Sequence, residues 1–125
     1  MRLSVFLDSY AIIEMARDNP HYDPIEAESV VTSIWDLLEA YYILAQEGEN
    51  QLAERAFHKL ALVASEIPVD LVPEIARFRL ERKETTGRRF SYADAAGYVF
   101  ARDRGLEFVT GAHEFEGFPG VRFLR

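Results

Sequence analysis

The sequence predicts an α/β protein, a three-layer α/β/α sandwich around a central, mainly parallel sheet of four or five short strands. Two observations lead to this prediction. Short apolar or β-branched runs alternate along the chain with segments whose apolar residues recur at helical spacing. Such alternation is typical of parallel strands joined by crossover helices. With 125 residues, the chain is expected to form one domain over residues 1–125.

The first half of the chain begins with a predicted strand over residues 3–7, which form an apolar run. A helix is predicted from Ser9 to about Met15, because the Asp-Asn-Pro turn at 18–20 ends it. The next predicted elements are a helical turn over 25–28, a β-branched strand over 29–32, a helix over 34–47 capped by Ser33 and ended by Gly48, and an amphipathic helix over 50–65.

The second half of the chain is predicted to continue the alternation. Its predicted elements are a brief edge strand over 67–69, a helix over 71–84 with Pro73 in its first turn and a break at 85–87, a helix over 92–104 capped by Ser91 and ended by Gly105, and strands over 106–110 and 121–124. Several aromatic residues lie at core-facing spacing and are predicted to pack inside, namely Trp35, Tyr41, Tyr42, Phe100 and Phe108.

Three acids occupy unusual settings in this pattern. Asp8 follows the first strand, where it either caps the next helix or serves a site at the carboxyl edge of the sheet. Glu39 lies at the edge of a wide apolar arc of its helix, where its carboxylate either reaches solvent or is sheltered and needs a compensating partner. Asp94 stands three residues after Ser91, in a capping-box pattern. Three carboxylates brought together would require a divalent cation.

Composition and charge restrict the classes of function. The chain contains no cysteine and no run approaching 18 apolar residues, so we expect a cytoplasmic protein without disulfides or a membrane span. The net charge is −7, yet it is unevenly distributed. Residues 1–54 carry a balance of −9, whereas residues 77–89 carry +4. The basic segment is either a solvated helix face or a surface that holds nucleic acid.

Four stretches, in this order, resemble the PIN-domain ribonucleases, and most closely the VapC toxins of toxin–antitoxin pairs. They are Val5-Phe6-Leu7-Asp8-Ser9, Thr32-Ser33 through Leu38-Glu39-Ala40-Tyr41-Tyr42, Phe90-Ser91-Tyr92-Ala93-Asp94-Ala95, and Phe108-Val109-Thr110-Gly111 through Phe115. The resemblance spans essentially the whole chain. It implies an endoribonuclease that depends on Mg²⁺ or Mn²⁺, with Asp8, Glu39 and Asp94 as metal ligands. Hard cations prefer carboxylate ligands and neutralise the phosphate during phosphodiester hydrolysis.

The resemblance also implies supporting residues and partners. Ser9 and Thr110 would supply hydroxyls to the site, and the rim that contacts RNA would include Arg82, Lys83, Arg88 and Arg89. The resemblance implies a homodimer, which a small antitoxin would hold inactive by covering the acidic pocket. The two apolar helices between residues 34 and 65 are expected to form the dimer and antitoxin surface.

One position departs from the family pattern. The family usually places a fourth acid two residues after the threonine, and here that residue is Ala112. Glu114 or His113 could substitute for it, or the site keeps three acids and binds its ion more loosely. A PIN-like module that binds RNA or antitoxin without catalysis is therefore the alternative function.

Two other classes of acidic site fit the sequence poorly. A haloacid-dehalogenase-type phosphatase needs a second aspartate two residues after the first, where this chain has Tyr10. A response-regulator receiver needs a lysine after a late strand, but the chain's only lysines, Lys59 and Lys83, lie on predicted helices.

Overall fold

The structure is a computed structural model that describes residues 4–86 and 90–125. Its helices and strands, in chain order, are β1 (Ser4–Leu7), α1 (Ser9–Ala16), β2 (Ser29–Ser33), α2 (Ile34–Gln46), α3 (Asn50–Leu60), β3 (Ala64–Ser65), α4 (Val72–Thr86), α5 (Tyr92–Asp103), β4 (Glu107–Thr110) and β5 (Val121–Phe123). Short 3-10 segments connect several of these elements, at Pro20–Ala27, Ala61–Val63, Val69–Leu71 and His113–Phe115.

The five strands form one parallel sheet in the order β3-β2-β1-β4-β5. The connections leave β1 in opposite directions, first toward β2 and β3 and later toward β4 and β5. The order therefore reverses between β1 and β4. In open parallel sheets, the crevice at the carboxyl ends of the strands flanking such a reversal is where ligands bind.

Helices cover both faces of the sheet, which confirms the predicted three-layer architecture. Val5 and Leu7 of β1 join one buried cluster with residues of α1, α2 and α3, whereas Phe6 joins a second cluster with residues of α4 and α5. This alternation follows from the two-residue period of a strand, which sends successive side chains to opposite faces. In the second cluster, the rings of Phe6 and Phe108 stack with centroids 5.5 Å apart.

Three features of the predicted map are wrong. The predicted strand over 67–69 is absent, because β3 forms earlier, at Ala64–Ser65, where it pairs with the end of β2. The helix predicted over 50–65 accordingly ends at Leu60. Pro68 has no N–H to donate to a ladder, and it precedes a 3-10 turn rather than lying in a strand. Helix α4 also continues through Thr86, so the predicted break does not begin at residue 85.

Two aromatic residues predicted to pack in the core are exposed instead. Trp35 and Tyr42 on α2 retain 56% and 61% of their surface, whereas Phe100 and Phe108 are buried as predicted. The wide apolar arc of α2 exceeds what the sheet covers, so part of it faces outward. Within residues 4–86 and 90–125, no helix is long and apolar enough to cross a membrane.

Candidate functional site

The candidate site begins at Asp8, which lies at the carboxyl end of β1 where the strand order reverses. Asp8 caps α1: its Oδ1 accepts a hydrogen bond from the Ala11 N–H at 2.9 Å. Its Oδ2 accepts a hydrogen bond from the hydroxyl of Thr110, at the end of β4. Only 1% of Asp8 is exposed. Asp8 therefore caps α1 and also lies near other acids at the carboxyl edge of the sheet.

Burial raises the pKa of Asp8 from 3.8 to about 7. The hydrogen bonds from Thr110 and Ala11 oppose this shift, while the charges of Asp94 and Glu39 add to it. A buried carboxylate that must ionise beside two other acids is costly unless a cation compensates it.

Glu39 reaches the site from the second turn of α2. Its Oε1 accepts a hydrogen bond from the Ser9 hydroxyl, which joins the first turn of α1 to α2. Ser9, which was predicted to support the site, therefore donates its hydroxyl hydrogen bond to one of the three acids. Glu39 is half-buried, as expected for an acid at the edge of an apolar arc.

Asp94 reaches the site from the first turn of α5, where the predicted capping box with Ser91 is present. Its Oδ2 accepts a hydrogen bond from the Ser91 N–H at 3.1 Å. Burial raises the pKa of Asp94, the hydrogen bonds with Ser91 oppose the shift, and the charges of Glu39 and Glu114 add to it. The charges of Asp94 and Glu39 thus act on the pKa of Asp8, and the charge of Glu39 acts on the pKa of Asp94.

A fourth acid, Asp36, was missed in the sequence. It lies in the first turn of α2 and is 1% exposed. Burial raises its pKa well above 3.8; the hydrogen bond from Ser33 opposes this shift, and the charge of Asp8 adds to it. The spacing from Ser33 to Asp36 equals the spacing from Ser91 to Asp94, so the same capping pattern could have drawn attention to it.

Ala112, which stands where the family usually has a fourth acid, lies in apolar surroundings. Ala112 packs against the second buried cluster, and its N–H donates a hydrogen bond to the Thr110 hydroxyl at 3.0 Å. Of the two substitutes considered, the charge of Glu114 acts on Asp94. His113 is exposed and contacts Arg125 and Glu116 instead. The structure therefore favours Glu114 over His113 as a neighbour of the site.

The predicted RNA rim is only partly described. The guanidinium of Arg82 lies 5.3 Å from the Phe78 ring and 5.2 Å from the Phe118 ring, and Lys83 is exposed on α4. Arg88 and Arg89 lie outside the described residues. Arg79, which was not predicted, is nearer to the start of α5: its guanidinium lies 4.2 Å from the Tyr92 ring and its Nε donates to the Phe90 carbonyl at 2.8 Å.

An apolar groove of about 620 Å³ opens beside the acids, between α2 and α5. Its lining residues are Trp35, Leu38, Glu39, Tyr42, Tyr92, Ala93 and Ala96. Glu39 therefore belongs both to the groove and to the acidic region. The exposed aromatic rings of α2 and α5 have no role in the core, which indicates a surface for a partner.

The residues present fit a hard divalent cation, because the side chains of Asp8, Glu39 and Asp94 are carboxylates, whose oxygen atoms are the donors that Mg²⁺ and Mn²⁺ prefer. In the part of the chain that the structure describes, no group of three or more His, Asp or Glu side chains is placed so that it could hold a metal ion. The carboxylates instead accept hydrogen bonds from neighbouring groups, such as Ser9, Ser91 and Thr110.

Solved structures with the same architecture are toxin–antitoxin proteins. A toxin-antitoxin complex from Klebsiella pneumoniae superposes with a TM-score of 0.72 at 20% identity, over 94% of this chain and 95% of that chain. VapC20 from Mycobacterium tuberculosis, a Sarcin-Ricin loop cleaving toxin, superposes with a TM-score of 0.70 at 20% identity, over 94% and 98%. The fold is that of the VapC toxins.

A third VapC-type structure agrees with this result. VapBC-5 from Mycobacterium tuberculosis, a member of the VapBC family of toxin-antitoxin systems, superposes with a TM-score of 0.69 at 20% identity, over 98% of both chains. No protein-family model matches the chain, and no curated protein sequence matches it. The VapC likeness therefore lies in the arrangement of the helices and strands.

Proposed function

We propose that the chain is a divalent-metal-dependent endoribonuclease, the toxin of a VapBC-type toxin–antitoxin pair. Asp8, Glu39 and Asp94 would hold Mg²⁺ or Mn²⁺. The ion would neutralise the phosphate and activate a water molecule for hydrolysis of the phosphodiester bond. The Thr110 hydroxyl orients Asp8 and the Ser9 hydroxyl orients Glu39. Glu114 supports the site through its charge near Asp94.

The observation that carries the proposal is that the charges of two other acids act on Asp8, which is buried at the strand reversal. Both Glu39 and Asp94 act on the pKa of Asp8, although the three residues come from distant parts of the chain. A protein gains no stability from crowding carboxylates in a buried crevice, so their convergence indicates a site for a cation. The VapC fold supports the assignment of that site to RNA cleavage.

Metal removal tests the proposal directly. Purified chain should cleave single-stranded RNA in the presence of Mg²⁺ or Mn²⁺, and EDTA in excess should stop the cleavage. Restoring the metal should restore the activity. RNA cleavage that persists in EDTA would contradict a metal mechanism, and the absence of cleavage with either ion would favour the alternative function, a PIN-like module that binds RNA or antitoxin without catalysis.

Ala112→Asp distinguishes a weakened nuclease from a complete one. An added carboxylate beside Thr110 should tighten Mn²⁺ binding, because affinity rises with the number of charged ligands, and should raise cleavage at limiting metal by about tenfold or more. Ala112→Asn is the matched control, since it has nearly the same shape without the charge. Equal effects of the two substitutions, measured as initial cleavage rates across a Mn²⁺ series, would show that charge at position 112 is irrelevant.

We also propose that a cognate antitoxin covers the groove between α2 and α5. The groove offers aromatic and aliphatic side chains beside Glu39, so it suits a peptide with apolar anchors and a basic side chain near the acids. Two copies of the chain would associate through the remaining apolar surface of α2 and α3, where Ile34 and Phe57 are exposed. Light scattering after gel filtration tests this homodimer, and a monomer mass at micromolar concentration would contradict it.

Trp35→Ala should weaken antitoxin binding by about 2 kcal/mol, roughly 30-fold, because a half-exposed Trp in such a groove is typical of binding hot spots. The antitoxin is obtained as the genomic clone that restores growth to cells expressing the chain, and its affinity is then measured by calorimetry. Leu80→Ala is the control, since Leu80 is an exposed apolar residue on α4 that lies outside both the groove and the proposed dimer surface. Equal losses for the two variants would contradict the groove as the binding surface.

A further inference from the structure

Asp36 makes contacts that reach every element carrying an acid of the site. Its Oδ1 accepts a hydrogen bond from the Ser9 N–H at 3.1 Å, and its Oδ2 accepts one from the Ser33 hydroxyl at 2.6 Å. The Asp36 N–H donates in turn to the same hydroxyl at 3.0 Å. Because Asp36 is buried, these bonds replace the water that the carboxylate has lost.

The bond to Ser9 joins two of the site's acids. Ser9 directly follows Asp8, and Asp36 lies one helical turn before Glu39 on α2. The Ser9 residue is therefore held to α2 twice, by its N–H on Asp36 and by its hydroxyl on Glu39. Two adjacent hydrogen bonds fix both the distance and the orientation of the β1–α1 junction relative to α2.

The third element, α5, packs against the other side of the same carboxylate. A Cβ atom at Gly97 would lie 3.2 Å from Asp36 Oδ2 and 3.0 Å from Cε1 of Phe6. Only glycine at this position lets α5 approach so closely without displacing its neighbours. Asp94 lies three residues before Gly97 on α5, so the two residues share a face of that helix.

We propose that Asp36 is a positioning residue, whose carboxylate holds the β1–α1 junction and α2 in the spacing that lets Asp8 and Glu39 share one divalent cation. The inference rests on the proposed function of the site. We assign Asp36 this role because its two oxygens accept hydrogen bonds from Ser9, at the start of α1, and from Ser33, at the end of β2, and so connect the elements that carry Asp8 and Glu39. Groups that orient metal ligands typically change metal affinity by 10- to 100-fold when they are replaced.

The test compares Asp36→Asn with the unmodified full chain by calorimetric titration of Mn²⁺ and by NMR measurement of hydrogen exchange at the Ser9 amide. Asn keeps the shape of the side chain but presents an N–H₂ group to one of its two donors. We expect Mn²⁺ affinity to fall by at least about tenfold and Ser9 exchange to accelerate. Tyr98→Phe is the control, because it removes a 2.6 Å hydrogen bond to the Pro119 carbonyl that involves none of the acids.

A purely structural role for Asp36 predicts lower thermal stability in both variants without a change in Mn²⁺ affinity. Folded Asp36→Asn with affinity within twofold of the unmodified chain would therefore overturn the inference. If Asp36→Asn does not fold, Ser33→Ala takes its place: it removes the other partner of Asp36 and should weaken Mn²⁺ binding in the same direction, and an unchanged affinity would again overturn the inference.

Failure of the proposed function gives a different pattern. An unmodified chain that binds neither Mn²⁺ nor Mg²⁺ overturns the metal site itself. The Ser9 amide then tests the positioning role alone: faster exchange in Asp36→Asn but not in Tyr98→Phe supports it, and equal exchange in all three proteins overturns it.

Discussion

Asp8→Asn is expected to abolish metal-dependent RNA cleavage, with kcat/KM at least about 10³-fold lower, while the protein stays folded. The loss follows because a bound cation contributes several kcal/mol to stabilising charge in the transition state, and each 1.4 kcal/mol is a factor of ten in rate. Asp8 is the acid most directly placed for that role, since it is buried at the strand reversal and held from two sides. Cleavage of a fluorescent single-stranded RNA measures the effect.

Folding should survive this substitution because Asn retains the contacts that make Asp8 a helix cap. Its amide oxygen can accept from the Ala11 N–H, and Asn is among the preferred N-cap residues. Asp23→Asn is the matched control, an exposed acid on the 3-10 segment. Unchanged cleavage in Asp8→Asn, with a normal circular dichroism spectrum, would mean that another site or a contaminating nuclease cuts the RNA.

In the absence of metal, Asp8→Asn should become more stable relative to the unmodified chain as the pH rises. Burial raises the pKa of Asp8 from 3.8 to about 7, so the folded chain binds more protons than the unfolded chain between these values. Its stability therefore falls as pH rises through this range, whereas the Asn variant has no such proton to lose. A shift of this size corresponds to about 4 kcal/mol at full ionisation, as an upper bound.

Urea denaturation at pH 4, 6 and 8 in EDTA measures this difference. We expect the variant to gain stability relative to the unmodified chain from pH 4 to pH 8, and Mn²⁺ to reverse the gain by stabilising only the chain that keeps its carboxylate. Asp23→Asn is the control, because it replaces an exposed carboxylate and leaves the buried ones in place. A stability difference that does not change with pH for Asp8→Asn would show that Asp8 ionises without cost, and would remove the electrostatic reason for a cation at this position.

Local patterns in the sequence were sufficient to place most of the elements. Helix caps such as Ser33 and Ser91 depend on neighbours within a few residues, and so does the acid after the first strand. Such patterns can therefore be recognised in the sequence without knowledge of the fold. The short strand at Ala64–Ser65 was misplaced because two residues carry almost no pattern, and its position depends on pairing with Thr32 and Ser33.

The role of Asp36 shows the limit of such patterns. In the sequence it is an ordinary polar residue in the first turn of a helix, and its burial arises only when Ser9 and Gly97 approach it from other elements. The exposure of Trp35 and Tyr42 also depends on the tertiary structure, because the sheet covers only part of the apolar arc of α2.

The sequence by itself determined the α/β class, most of the helices and strands, and the three acids as candidates, because caps, strand runs and helical spacing are short-range properties. Only the tertiary structure decided which acids interact and which aromatic rings face solvent. It also showed that a fourth carboxylate, that of Asp36, accepts hydrogen bonds from residues next to the site. These outcomes depend on contacts between residues as far apart as Asp8 and Thr110, and only the packing of the sheet and helices brings such residues together.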